Sequence, residues 1–155
     1  MTDYMNKIIS VILAFVMLVV APLVISYQTT DMLAKRAILN DVTAFIDKAQ
    51  DTYQIDDDDL NKLYMQCNSH GISVDVKVKR LIRTAVTKND IYGNPAAKTV
   101  YYAVDALDDL KNLNPGDTVQ VSVSELATTP GHQLVYRVLR IDEGNFEFSL
   151  AGVVG

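Results

Sequence analysis

The stretch from Ile8 to Ser26, IISVILAFVMLVVAPLVIS, constrains this chain more than any other part of it. No charged residue stands between Lys7 and Asp31. A helix rises about 1.5 Å per residue and the hydrocarbon core of a bilayer is about 30 Å thick, so about 20 mostly apolar residues suffice to cross it. The run meets that length and predicts one transmembrane helix, within an N-terminal segment at 1–30, ahead of a soluble domain at 31–155. A cleaved secretory signal is the competing expectation. Lys7 suits its start, but the run outlasts the usual apolar core of about 7–15 residues and no Ala-x-Ala site follows. Pro22 predicts a kink rather than a stop, because membrane helices re-satisfy the carbonyl that a proline frees. Lys7 before the run and Lys35 and Arg36 after it differ too little for the positive-inside rule to set an orientation.

The rest of the chain is long enough for one domain with its own core. A net charge of −5 argues against nucleic acid, whose phosphates require a basic face. Cys67 is the sole cysteine, so no intramolecular disulfide can form.

From Tyr27 to about Asp51 there is neither Gly nor Pro, and Ala34, Ile38, Val42, Phe45, Ile46, Ala49 and Tyr53 recur in steps of three and four. That is an amphipathic helix with one apolar stripe. Its simplest form is a continuation of the apolar helix; two helices with a break near Thr29–Thr30 are the alternative. Asp56–Asp59 precede Leu60, Leu63, Tyr64 and Cys67. They read as the N-terminal cap of a short helix rather than a calcium loop, which needs a Gly at its sixth position and a Glu at its twelfth. Cys67 falls on that helix's apolar face, and Gly71 suits its C-terminus.

After Gly71 the period drops to two. Val74, Val76 and Val78 alternate with Asp75, Lys77 and Lys79. Arg80 then occupies an apolar slot, which predicts a β-bulge near Lys79–Arg80 with Leu81 turned inward. Val100, Tyr102 and Val104 form a second run after the turn-rich loop KNDIYGNPAAK (88–98). Val119, Val121 and Val123 form a third, after Asn114-Pro115-Gly116-Asp117, and Phe146, Phe148 and Leu150 a fourth. Strands apolar on one face belong to an antiparallel sheet covered on that side. Leu107, Leu110 and Leu113 suggest a helical turn between strands two and three. Thr129 and Pro130 resemble an N-cap and N1 ahead of Leu134, Val135, Val138 and Leu139, where a strand competes with a helix. The fold class is therefore α+β: a long transmembrane-plus-amphipathic helix on a four-stranded antiparallel sheet, with one or two short extra helices.

No catalytic, cofactor-binding or metal-binding pattern emerges. His70 stands beside a helix C-cap and His132 in a Pro-Gly turn, and neither shares ligand or nucleophile–base spacing with Cys67. Neither a cofactor nor a small-molecule substrate is evident, and the chain reads as non-enzymatic. Lys77, Lys79, Arg80 and Arg83 form a basic stripe, read either as a solvated sheet face or as a patch for a partner.

The layout of an apolar N-terminal helix carrying a proline, continued as an amphipathic helix over a four-stranded sheet, resembles the pilin-like proteins of type IV pili, type II secretion and Tad-type systems. The likeness is architectural. No Gly precedes Gly71 and position 5 is Met, so the prepilin peptidase Gly and the following Glu are missing. The resemblance implies a single-pass protein of the cytoplasmic membrane, its soluble domain outside, serving as a subunit or assembly component of a surface filament or secretion apparatus. Its partners would be the bilayer and other membrane helices or pilin-like subunits. Ser10, Ala14 and Ala21 are small enough for close helix approach, and Val16 and Pro22 lie on the same segment. An anchored sensor or adaptor domain is the alternative reading.

Overall fold

A single helical rod carries the first third of the chain in the computed structural model, which describes residues 2–89, 95–105, 110–127, 129, 133, 136–137 and 144–155. Helix α1 (Thr2–Phe15) passes through a π turn (Val16–Val20) into α2 (Ala21–Thr52). The π turn sits directly ahead of Pro22, which falls in the first turn of α2, and Ala21 N–H closes back on Val16 C=O. A wider turn here absorbs the loss of the proline's N–H, so the rod continues. There is no break at Thr29–Thr30. Both hydroxyls donate to carbonyls one turn back, Thr29 to Ile25 at 2.8 Å and Thr30 to Ser26 at 3.0 Å. That back-bonding satisfies them inside the helix.

The predicted stripe is buried from Ala34 through Ile38, Val42, Phe45 and Ile46 to Ala49. Tyr53 does not extend it. It lies past the helix end as a left-handed C-cap (φ 56°), 40% exposed, with its N–H on Ala49 C=O at 3.1 Å. Two contacts hold it there: its carbonyl accepts from Leu113 N–H at 2.9 Å, and its hydroxyl donates to Gly155 C=O. Helix α3 (Asp57–Ser69) starts at Asp56 in the N-cap position and buries Leu60, Leu63 and Cys67. The Asp56 side chain makes no capping bond. Asp57, Asp58 and Asp59 occupy the first turn, where the helix dipole favours them, and Asp59 binds Lys48 of α2 at 2.6 Å. Gly71 follows with φ +84°, the conformation that ends a helix and that Gly adopts without a Cβ clash.

Strands β1 (Val74–Asn89), β2 (Pro95–Val104), β3 (Thr118–Glu125) and β4 (Glu147–Val153) form one sheet in the order β2-β1-β3-β4, with every pair antiparallel. Its inner face buries Val74, Val76 and Val78 of β1 and Val119, Val121 and Val123 of β3. Phe146, Phe148 and Leu150 pack at the margin of the same core. Full burial of such a side chain contributes about 1.5–3 kcal/mol, so the stripe of α2 meeting this face is the main source of the domain's stability. Helix α2 packs on β3 and β4, and α3 lies between α2 and β1.

Three expectations change. The bulge at Lys79–Arg80 is absent: β1 stays in register with β3 through Lys79↔Gln120, Arg80↔Val119 and Leu81↔Thr118. Arg80 keeps the inward slot and Leu81 points to the other face. The loop at 88–98 is shorter than its composition suggested, since the strands persist to Asn89↔Pro95. Coverage of the apolar face also stops early. Beyond Leu81, β1 and β2 run on as a two-stranded arm, where Ile82 and Val100 are half-buried and Tyr102 is 53% exposed.

Of the short extra helices, Leu110 is helical and buried and Leu113 is buried, while Leu107 lies outside the described residues. In the segment after Thr129, Gln133, Tyr136 and Arg137 are helical, and Gln133 N–H donates to Thr129 C=O at 3.0 Å. Pro130, His132, Leu134, Val135, Val138 and Leu139 lie outside the described residues.

Helix α2 approaches β4 closely at Gly152, where a Cβ would stand 2.3 Å from Ile46 Cγ2 and 2.7 Å from Gln50 Nε2. Gln50 Nε2 is itself committed to Val153 C=O at 2.7 Å, so it has little freedom to withdraw. Gly152→Ala should destabilise the domain by about 1–3 kcal/mol, the usual cost of overpacking, measured as a lower urea midpoint for the full chain in micelles.

Candidate membrane helix and polar sheet face

From Ile8 to Val19 every large apolar side chain is exposed, up to 77% at Leu18. The helix is long and apolar enough to cross a membrane, and its most apolar window has no residue buried by the rest of the chain. Soluble monomers rarely expose apolar patches beyond a few hundred Å²; this helix shows one on all sides for several turns. Its polar residues make little demand on the surroundings, as Ser10 Oγ donates to Asn6 C=O at 2.8 Å. Ser10, Ala14, Val16 and Pro22 are exposed, and Ala21 is half-buried. Val24 is buried although it lies inside the run predicted for the membrane. Further along, Asp31 accepts a 2.6 Å bond from the Thr129 hydroxyl, and Lys35 lies 5.4 Å from the centre of the Phe146 ring.

The basic stripe is split by the pleat. Lys77, Lys79 and Arg83 share the outer face of β1. Lys77 pairs with Asp75 at 3.2 Å, while no ion-pair partner is found for Lys79 or Arg83 among the described residues. The same face carries Gln120, Ser122 and Ser149, joined by hydrogen bonds of 2.8 and 3.1 Å. Arg80 is the exception. It is 7% exposed on the inner side and grips Asp117, itself 4% exposed, through Nε at 2.8 Å and Nη2 at 2.5 Å. Asp117 Oδ2 also accepts from Asn114 N–H at 2.9 Å, closing the turn in which Pro115 leads into Gly116 at φ +91°. The sequence carried one signal of this pair: a charged residue at a strictly inward position, with an acid just after a Pro-Gly turn.

Two isolated groups acquire definite surroundings. His70 is half-buried rather than a free surface residue, and its Nε2 lies 2.7 Å from Asp41 Oδ2, fastening the end of α3 to α2. Cys67 is fully buried; burial first and the Asp41 carboxylate second push its thiol up to about 11. A cleft of about 200 Å³ between α2 and α3 is lined by Phe45, Lys48, Asp59, Lys62, Leu63 and Gln66, so the Lys48–Asp59 pair forms part of its wall. Among the described residues no three His, Cys, Asp or Glu side chains gather to hold a metal ion. Comparison of the chain with protein-family models, with curated proteins and with solved structures gives no match.

The pleat assignment has a direct test. Arg80→Met leaves Asp117 as a buried, uncompensated charge and should cost about 3–5 kcal/mol, whereas Lys79→Met on the outer face should stay within about 0.5 kcal/mol of the parent. Equal effects in chemical denaturation would refute the assignment. Cys67 yields a second prediction. A thiol raised in the folded state makes the fold bind an extra proton above the unfolded value, so its stabilising contribution is complete below about pH 9 and is lost as pH rises towards 11. A Cys67→Ala variant should lose less stability than the parent across that interval. In the parent, labelling by a thiol reagent at pH 8 should follow unfolding.

Proposed function

We propose that this chain is a non-enzymatic, single-pass protein of a bacterial cytoplasmic membrane, built like a pilin. It acts as a subunit or assembly component of a surface filament or secretion apparatus, with its sheet domain outside the membrane. One observation carries the reading: a helix bare on all sides through Val19 continues without a break into the helix whose stripe organises the sheet. Bare apolar surface of that extent needs lipid or other helices around it. Small residues at Ser10 and Ala14, one turn apart, let a neighbouring helix approach there. The work of such a protein is packing: the helix in lipid or among like helices, the domain presented to partners.

A second reading, an anchored sensor or adaptor, is favoured by the outward Lys79 and Arg83, which have no ion-pair partner among the described residues. The two readings separate in mechanically sheared surface material, where a filament subunit is recovered and a sensor is not. Ala14→Asp tests the anchor. A charge near the centre of a spanning helix costs about 2.5–3.5 kcal/mol of insertion free energy, so this variant should fall sharply in carbonate-washed membranes. Thr43→Asp, on the exposed side of the covered half of the helix, should not. Undiminished membrane recovery of Ala14→Asp would sink the proposal.

A further inference from the structure

Polar side chains of α1 share one side of the helix. Asp3, Asn6, Lys7 and Ser10 line a common recess, and at about 100° per residue they fall within about 100° of one another. Ala14 continues this edge one turn beyond Ser10. Along α2, the buried residues from Ala34 to Ala49 mark the direction of the sheet. Where the polar edge stands relative to the sheet therefore depends on what joins the two helices.

That join is not α-helical. Ala21 N–H closes on Val16 C=O, five residues back, and Val16–Val20 form a π turn. Such a turn takes up one residue more than an α turn, so everything ahead of it is rotated by about 100° around the rod. An α-helix running straight through would put the middle of the polar edge about 70° from the middle of the buried stripe. With the π turn the two stand about 170° apart, on opposite sides of the rod. The edge is then in line with Arg36, Asn40 and Asp47, which are exposed along the back of α2.

Pro22 gives this turn its cause. In an α-helix the proline ring would meet the carbonyl four residues back, at Leu18, and the missing N–H would leave that carbonyl unbonded. We propose that Pro22, through the π turn it imposes, sets the rotation of the bare helix so that its polar edge faces away from the sheet. A neighbouring helix that packs on Asp3, Lys7, Ser10 and Ala14 comes up behind α2. At about 70° from the stripe it would instead come up beneath the flank of the domain. The rotation is internal to the rod, so none of this depends on the membrane reading.

The test is the distance between paired spin labels on either side of the π turn, in the full chain in micelles with Cys67→Ala. Ile12, Leu13, Ile25 and Ser26 are all exposed and accept labels. One pair is Leu13→Cys with Ile25→Cys, the other Ile12→Cys with Ser26→Cys. With the π turn the first pair lies on one side of the rod and the second on nearly opposite sides, so the first distance should be shorter by about 6 Å. In Pro22→Ala the α-helix runs through, and the two distances should agree to within about 1 Å. Deleting Val19 from Pro22→Ala removes one residue and should restore the gap of about 6 Å, which relief of a bend would not do. Equal distances in the parent would overturn the proposal. So would a gap that persists in Pro22→Ala, or one that deletion of Val19 fails to restore.

Discussion

Everything in this molecule hangs on one face of one helix. Between Ala34 and Ala49 the stripe of α2 is pressed onto β3 and β4, so closely at Gly152 that the strand has no room for a side chain. Neither surface is stable alone. The sheet would expose Val119, Val121 and Val123, and the helix would expose Ile38 and Val42, all of which are fully covered in the assembled domain. The α3 helix finishes the enclosure from the side of β1, held by Lys48–Asp59 at its start and by His70–Asp41 at its end. Polar contacts this close to the surface add little to stability, so these two set where α3 lies more than they stabilise it.

The same helix carries the second constraint, because its other half is bare. A flexible joint between the halves would let the domain tumble relative to the apolar segment. The chain has no such joint: Thr29 and Thr30 satisfy their hydroxyls within the helix, and the π turn ahead of Pro22 keeps the rod running where a proline interrupts the bonding. Contacts at Asp31 and Lys35 carry the domain's cover towards Val24. The direction of the apolar segment is thus fixed to the sheet by the unbroken hydrogen-bonded helix. For an anchored protein, that fixes which edge of the sheet lies near the bilayer and which lies far from it.

Much of this was legible in the sequence, for particular reasons. The stripe of α2 and the Val alternations of β1 and β3 were readable because one face is fully buried, and burial writes its period into residue type. Cys67 was readable in the same way. The arm of β1 and β2 was not, because Tyr102 and Val100 alternate as covered strands do while facing little cover; periodicity reports which face is apolar and not what lies above it. Tyr53 fitted the stripe's spacing yet lies past the helix end, since a tertiary bond to Leu113 and not local propensity sets that boundary. That β2 pairs with the second half of β1 and β3 with the first was beyond reach altogether, because strand offsets are set by pairing between distant segments.

Arg80 shows where pattern and energy part company. A charged residue in an apolar slot has two physical resolutions: the strand slips by one residue to expel it, or the fold supplies an opposite charge. A slip would have kept Arg80 in water but turned every later side chain of β1 to the wrong face. Here the second resolution prevails, and Asp117 is positioned for it by the turn at Pro115 and Gly116 that starts β3. That turn is held from the other side as well. Gly116 N–H donates to Val154 C=O, and Val154 N–H donates to Asp117 C=O. The end of α2 reaches the same point through Tyr53, which binds Leu113 on one side and Gly155 on the other. Helix end, turn and C-terminus therefore converge on one buried ion pair. A one-residue shift of β1 against β3 would carry Arg80 away from Asp117 and leave that acid buried and unpaired. The pair therefore adds no more than ordinary stability as a contact, yet the observed register is one in which Arg80 and Asp117 meet.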